Sequence, residues 1–108
     1  MAISIPIFTS QLEKSREATD LANIRAAYAE CSAAVLTEAN SGNAKYNTDG
    51  SALEEVALHQ KIAGWTDSNQ TAKIGKLEAG KDFNFTEGSI KADVKIAKNG
   101  ELTITIGK

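Results

Sequence analysis

His59, Asp49 and Ser51 are the residue types of a hydrolase: an imidazole base with a carboxylate and a hydroxyl close by in the chain. A base must reach the proton it abstracts, and a nucleophilic serine needs a motif context such as a strained strand-to-helix turn. Neither the spacing nor the neighbouring residues supply one, so His59 is expected as a surface histidine. Asn47, Asp49 and Ser51 place oxygen donors at alternate positions, as a calcium loop does. The glycine position and the closing bidentate glutamate of such a loop do not fit, and calcium is rejected. Glu13, Glu17 and Asp20 form a possible carboxylate cluster, but Lys14 and Arg16 lie among them and a solvated charged face is expected. Cys31, the one cysteine, cannot form an intrachain disulfide and is expected as a small buried apolar residue. One histidine and one cysteine leave little for a metal site, so no metal, cofactor or catalytic residue is assigned.

Composition agrees with a non-enzymatic reading. A chain of 108 residues is one domain with one modest core. Apolar residues at 42% and charged residues at 24% are globular values. Twelve Lys and Arg against fourteen Asp and Glu give a net charge of -2, without the basic excess or stripe of a nucleic-acid binder. Met1 to Phe8 is apolar but well short of the roughly 20 residues that span a bilayer. Its alternating Ile3, Ile5 and Ile7 suit a strand or a helix lead-in, or the cut end of a longer apolar segment.

The elements that must position these residues begin with a helix from about Pro6 to Thr37. Proline is tolerated in a first turn, Ser10 and Glu13 have capping-box spacing, and Gln11 to Thr37 contains no Gly or Pro. Asn40-Ser41-Gly42 supplies the stop. Leu21, Ile24, Tyr28, Cys31 and Val35 form one stripe at spacings of three and four. Nearly opposite runs a second: Ile5, Phe8, Leu12, Ser15, Thr19, Ala22, Ala26, Ala29 and Ala33. One stripe can pack on the domain's own sheet while the other stays free for neighbours. Glu13 with Arg16, and Arg16 with Asp20, have ion-pair spacing.

Residues 39–53 read as loop, and Glu54 to Trp65 suits either a strand or a helix. Phe83 and Phe85, then Ile90, Ala92, Val94 and Ile96, then Leu102, Ile104 and Ile106 alternate as strands. A two-residue Asn99-Gly100 turn would place the apolar residues of the last two strands on opposite faces. A three-residue loop pairs Ile96 with Leu102 and Val94 with Ile104, with Gly100 in the left-handed position of a glycine bulge. The outline is α+β: helix over 1–38, loop over 39–53, and a mainly antiparallel sheet over 54–108.

Ala2-Ile3-Ser4-Ile5-Pro6-Ile7-Phe8, running into Gln11-Leu12-Glu13-Lys14-Ser15-Arg16-Glu17-Ala18-Thr19-Asp20, resembles type IV pilin-like proteins. The closer likeness is to the prepilin-type proteins of Gram-positive bacteria. There an apolar helix passes through Ile-Pro into such a polar stretch and on to Asn23-Ile24-Arg25-Ala26-Ala27-Tyr28. The match covers about the first third of the chain; the later strands agree in pattern only. The resemblance implies a membrane-inserted precursor, cut by a prepilin peptidase and assembled at the cell surface. Its product would be a type IV pilus or a type II secretion-like pseudopilus, with identical or related pilin subunits as partners. Pro6 corresponds to the proline ending the buried half-helix. The processing motif, the amino group that becomes methylated and the early assembly glutamate are absent, which implies that this is the soluble portion. The C-terminal cysteine pair of many Gram-negative pilins is also missing. Subunit packing is expected on Ile5, Phe8, Leu12, Ala22, Ala26 and Ala29. The alternative is a surface-binding or adhesion module using Tyr46, Trp65 and the 66–82 loop, although aromatics are only 6% of the chain and do not cluster.

Overall fold

A computed structural model describes residues 5–60, 72–85 and 88–107, with side chains of the first helix from Leu12 onward. Helix α1 spans Ile5–Thr37, with Pro6 in its first turn, where a missing N–H costs no hydrogen bond. Ser10 and Glu13, expected at the helix start, therefore lie inside it. At 1.5 Å per residue α1 is about 50 Å long, and it sets the long axis of a body measuring 58 × 23 × 20 Å. The stop comes before Asn40-Ser41-Gly42. Glu38 adopts φ +54°, and the Ala39 N–H donates to the Ala34 carbonyl at 3.2 Å. That six-residue closure satisfies a terminal carbonyl, at a cost of about 1–2 kcal/mol for a non-glycine residue in left-handed geometry.

Four strands form an antiparallel sheet in the order β1-β2-β5-β6: β1 (Lys45–Tyr46), β2 (Ala52–Ala57), β5 (Lys91–Ile96) and β6 (Leu102–Gly107). The fold is the α+β arrangement that the sequence predicts, one long helix on a small antiparallel sheet. Within the expected 39–53 loop, β1 and the start of β2 pair as a hairpin, Lys45 with Leu53 and Tyr46 with Ala52. The ambiguous stretch from Glu54 is strand as far as Ala57, while Ile62 and Trp65 lie outside the described residues. A separate hairpin, β3 (Lys73–Ile74) with β4 (Leu77–Glu78), has no counterpart in the sequence reading.

Phe83 and Phe85 are buried as their alternation suggests, but they build no strand. A turn interrupts the ladder: Glu78 N–H donates to Asp82 Oδ2 at 2.8 Å and Gly80 N–H to the Phe83 carbonyl at 2.8 Å. The last hairpin follows the parity argument. Ile96 pairs with Leu102 and Val94 with Ile104, and Ala97 N–H donates to the Glu101 carbonyl at 2.9 Å. Gly100 sits at φ +93°, closing a three-residue loop.

Helix α1 packs on the central strands β2 and β5. Its buried seam is Leu21, Ile24, Ala27, Cys31 and Ala34, facing Ala52, Val56, Ala92, Val94, Ile96 and Ile104. Tyr28, Val35 and Leu102, expected at the centre, are only half-buried at its flank. Small residues occupy the line of closest approach, so the larger side chains turn aside. Ile90 shares the parity of Ala92 but lies just before β5, at the end of the ladder, and is 63% exposed. Ile24 and Ile104 anchor opposite sides of the core. Replacing either with Ala should cost about 2–5 kcal/mol in urea unfolding, and losses below half a kcal/mol at both would refute this packing.

Candidate functional site

The face of α1 turned from the sheet carries the expected second stripe. Leu12 is 40% exposed, and Ser15, Thr19, Ala22, Ala26 and Ala29 are exposed. Ile5 and Phe8 share this register within α1, with side chains outside the described residues. At 100° per residue the stripe lies about 150° around the helix from the buried seam. Past half-buried Ala33 it reaches Leu36, 84% exposed, which the sequence reading missed although it is the next step of three. The described stripe is bulky at both ends and small between. Its uncharged side chains, with Ser15 and Thr19 the only polar ones, can do little chemistry beyond packing.

The buried seam continues toward the N-terminus as acid. Glu13, Glu17 and Asp20 precede Ile24 at the same alternating steps of four and three, and all three are buried. The solvated face expected of them is thus wrong: all three are shut away from solvent, Asp20 beneath His59 and Gln60 just beyond β2. Asp20, fully buried, takes the His59 N–H at 2.9 Å and the Gln60 N–H at 3.0 Å, and lies 3.0 Å from His59 Nδ1. Of the two expected helical ion pairs, Glu13 meets Arg16 at 3.4 Å, whereas the carboxylate of Asp20 is occupied by the chain after β2. Strand β2 thereby gains an anchor on the helix that spacing alone does not reveal.

Of the hydrolase residues, Asp49 and Ser51 meet, but His59 does not join them. Ser51 and His59 stand at opposite ends of β2, about 26 Å apart at 3.3 Å per residue. The Ser51 hydroxyl donates to Asp49 Oδ1 at 2.6 Å and receives Asn47 Nδ2 at 3.2 Å. These bonds, from the Ser51 hydroxyl and then its N–H, hold the Asp49 carboxyl below the usual range. They close the β1–β2 turn, so Asn47, Asp49 and Ser51 are a turn device. Tyr46 is half-buried against the core, its N–H donating to Asn40 Oδ1 at 2.9 Å. Trp65 lies outside the described residues. A cleft of about 430 Å³ opens beside Tyr28, between Lys76-Leu77 and Asn99 to Leu102. Within it Asn99 Oδ1 is already engaged by the Glu101 N–H at 3.0 Å.

Cys31 is buried under the sheet, its thiol 3.6 Å from the Val94 carbonyl. Burial first, then the charges of Glu54 and Glu30, push the thiol up to about 11. Among the described residues no group of three or more His, Cys, Asp or Glu is placed to hold a metal ion. Among them, too, no helix is long and apolar enough to cross a membrane. No family model, curated protein or solved structure matches the chain.

Two measurements check this account. Folded protein at pH 8 should react with a thiol reagent roughly a hundredfold more slowly than an exposed cysteine, from its thiolate fraction alone; rapid labelling or Cys31-linked dimers would contradict the burial. Asp20→Ala should cost about 2–3 kcal/mol by leaving the His59 and Gln60 N–H groups without their acceptor, and a loss below half a kcal/mol would show that the anchor is dispensable.

Proposed function

We propose that this chain is a structural subunit of a type IV pilus or a type II secretion-like pseudopilus, polymerising through α1. The observation that carries the reading is the division of one long helix between two faces. One seam is spent on the protein's own sheet; the other, Leu12 through Ala22, Ala26 and Ala29 to Leu36, stays exposed along the opposite side. The N-terminal resemblance to prepilin-type proteins supports the same conclusion, as does a fold with a long helix laid on a four-stranded antiparallel sheet.

In this reading the full-length precursor is held in the membrane by an apolar segment ahead of Ala2. A prepilin peptidase releases it into a filament at the cell surface. Ile5, Phe8 and Leu12 extend the apolar stalk, and Ala22, Ala26 and Ala29 let neighbouring helices approach closely, as small residues do. The reading involves no catalytic step and no cofactor, and the partners are identical or related subunits.

In the full-length protein, Ala22→Glu or Ala26→Glu should abolish filaments seen by electron microscopy. The 108-residue chain carrying either change should keep its stability within about 0.5 kcal/mol, as surface substitutions do. Normal filaments would leave the alanines as helix formers only. Unfolding of the short chain would place them in the core instead.

A further inference from the structure

The strand order β1-β2-β5-β6 leaves β1 and β6 at the edges of the sheet. Strand β1 is two residues long and carries Lys45, the short, charged form in which proteins keep an edge from pairing further. Strand β6 is Leu102-Thr103-Ile104-Thr105-Ile106-Gly107, paired along its whole length with β5 and free of charge and of proline. Among the described residues no strand pairs with its outer side. The bond from the Ala97 N–H to the Glu101 carbonyl sets the alternation of the ladder. Thr103, Thr105 and Gly107 direct their backbone groups to β5, and Leu102, Ile104 and Ile106 turn theirs outward. Thr103 and Thr105 are exposed on the outer face of the sheet, and Leu102 and Ile106 are only half-buried on the inner one.

We infer that the outer edge of β6 is an interface that takes β6 of a second copy of this chain, antiparallel across a two-fold axis at Ile104. The strand matches itself in that register. Ile104 meets Ile104 of the copy, Leu102 meets Ile106 and Thr103 meets Thr105, so apolar residues stay on the inner face and threonines on the outer. The outward groups of Leu102, Ile104 and Ile106 then form about six backbone hydrogen bonds with the copy. Leu102 and Ile106, already packed on the flank of the core, cover one another.

Charge selects the copy as occupant. Identical strands bring like residues together, so a charged edge repels itself, and this edge has no charge to bring. Glu101, just before β6, falls opposite Gly107 of the copy and not opposite another carboxylate. Helix α1 does not obstruct the seam. It is centred over β2 and β5, so the two α1 helices would stand about 19 Å apart at about 4.8 Å per strand, clear of each other at a diameter of about 10–12 Å. The exposed stripe of α1 faces away from the sheet, and the pairing neither needs nor blocks it.

The test uses the 108-residue chain. An edge of six residues buries much less than a standard interface, so the dimer should have a Kd of about 0.1–1 mM. Sedimentation from about 20 µM to about 2 mM should show the mass rise toward that of a dimer and no further. In isotope-filtered NMR spectra of mixed labelled and unlabelled chain, Thr103 of one copy should contact Thr105 of the other. The Leu102, Ile104 and Ile106 amides should shift as the dimer forms. Thr103→Glu with Thr105→Glu sets like charges against each other across the seam and should weaken association by about tenfold. Thr103→Glu with Thr105→Lys makes the same pairs opposite in charge and should restore it. Within the chain Thr103 pairs with Lys95 and Thr105 with Asp93. The first variant therefore gains one favourable neighbour and one unfavourable, and the second gains two favourable ones. The NMR contacts of the unsubstituted chain decide without either variant. A monomer at every concentration, growth past the dimer, association that ignores the double Glu change, or a dimer that Ala22→Glu dissolves would each overturn the proposal.

Discussion

Everything else in the fold is arranged around the close approach of α1 to the two central strands. Ala27, Cys31 and Ala34 on the helix are buried, as are Ala52 and Ala92 on the sheet. Small side chains on both partners bring the backbones together and leave little room for water. Larger groups have to leave the contact line, which is why Tyr28 lies at the flank with Gly75 and Leu102 beside its ring. The same tightness places the Cys31 thiol on a strand carbonyl and shuts the Glu54 carboxyl away from solvent. A wider spacing would hydrate both groups and remove their perturbation.

The parts legible in the sequence are those set by period and parity. A stretch free of Gly and Pro with apolar steps of three and four makes α1. A turn that must keep Val94 and Ile104 on one face makes the last hairpin, with Gly100 in its left-handed position. The parts not legible depend on contacts distant in sequence. Glu38 ends the helix in a conformation that glycine would favour, because Ala39 finds the Ala34 carbonyl. Glu13, Glu17 and Asp20 read as solvated because local charge spacing is silent about contacts distant in sequence, such as the His59 and Gln60 backbone that returns to Asp20. Phe83 and Phe85 alternate like a strand, but a turn network occupies the backbone between β4 and the second phenylalanine.

The candidate surface was legible for the opposite reason. A helix face with no internal partner keeps its periodicity undisturbed, so Leu12, Ala22, Ala26 and Ala29 could be read directly. Leu36 was missed because the stripe was ended at the last alanine although its step continued. Glu54 offered a signal that went unused. In Ala-Leu-Glu-Glu-Val-Ala either parity of a strand turns one glutamate inward, so assigning a strand there already requires a buried carboxyl. Which of the two, and what meets it, comes only from the pairing with β5 and from the helix above.

The unequal division of α1 has a mechanical side. The sheet grips the helix only from about Asp20 to Ala34, roughly 21 Å of its length, while the N-terminal portion extends past that grip. Tension applied along the helix axis would load this contact in shear. The buried apolar groups would resist together instead of peeling one after another. Two polar fastenings stand near the ends of the gripped span: Asp20 to the chain after β2, and Glu30 to Asn43. With no Gly or Pro from Gln11 to Thr37, the helix has no ready hinge at which to yield. A pull on its free end would be transmitted to the sheet with little slack.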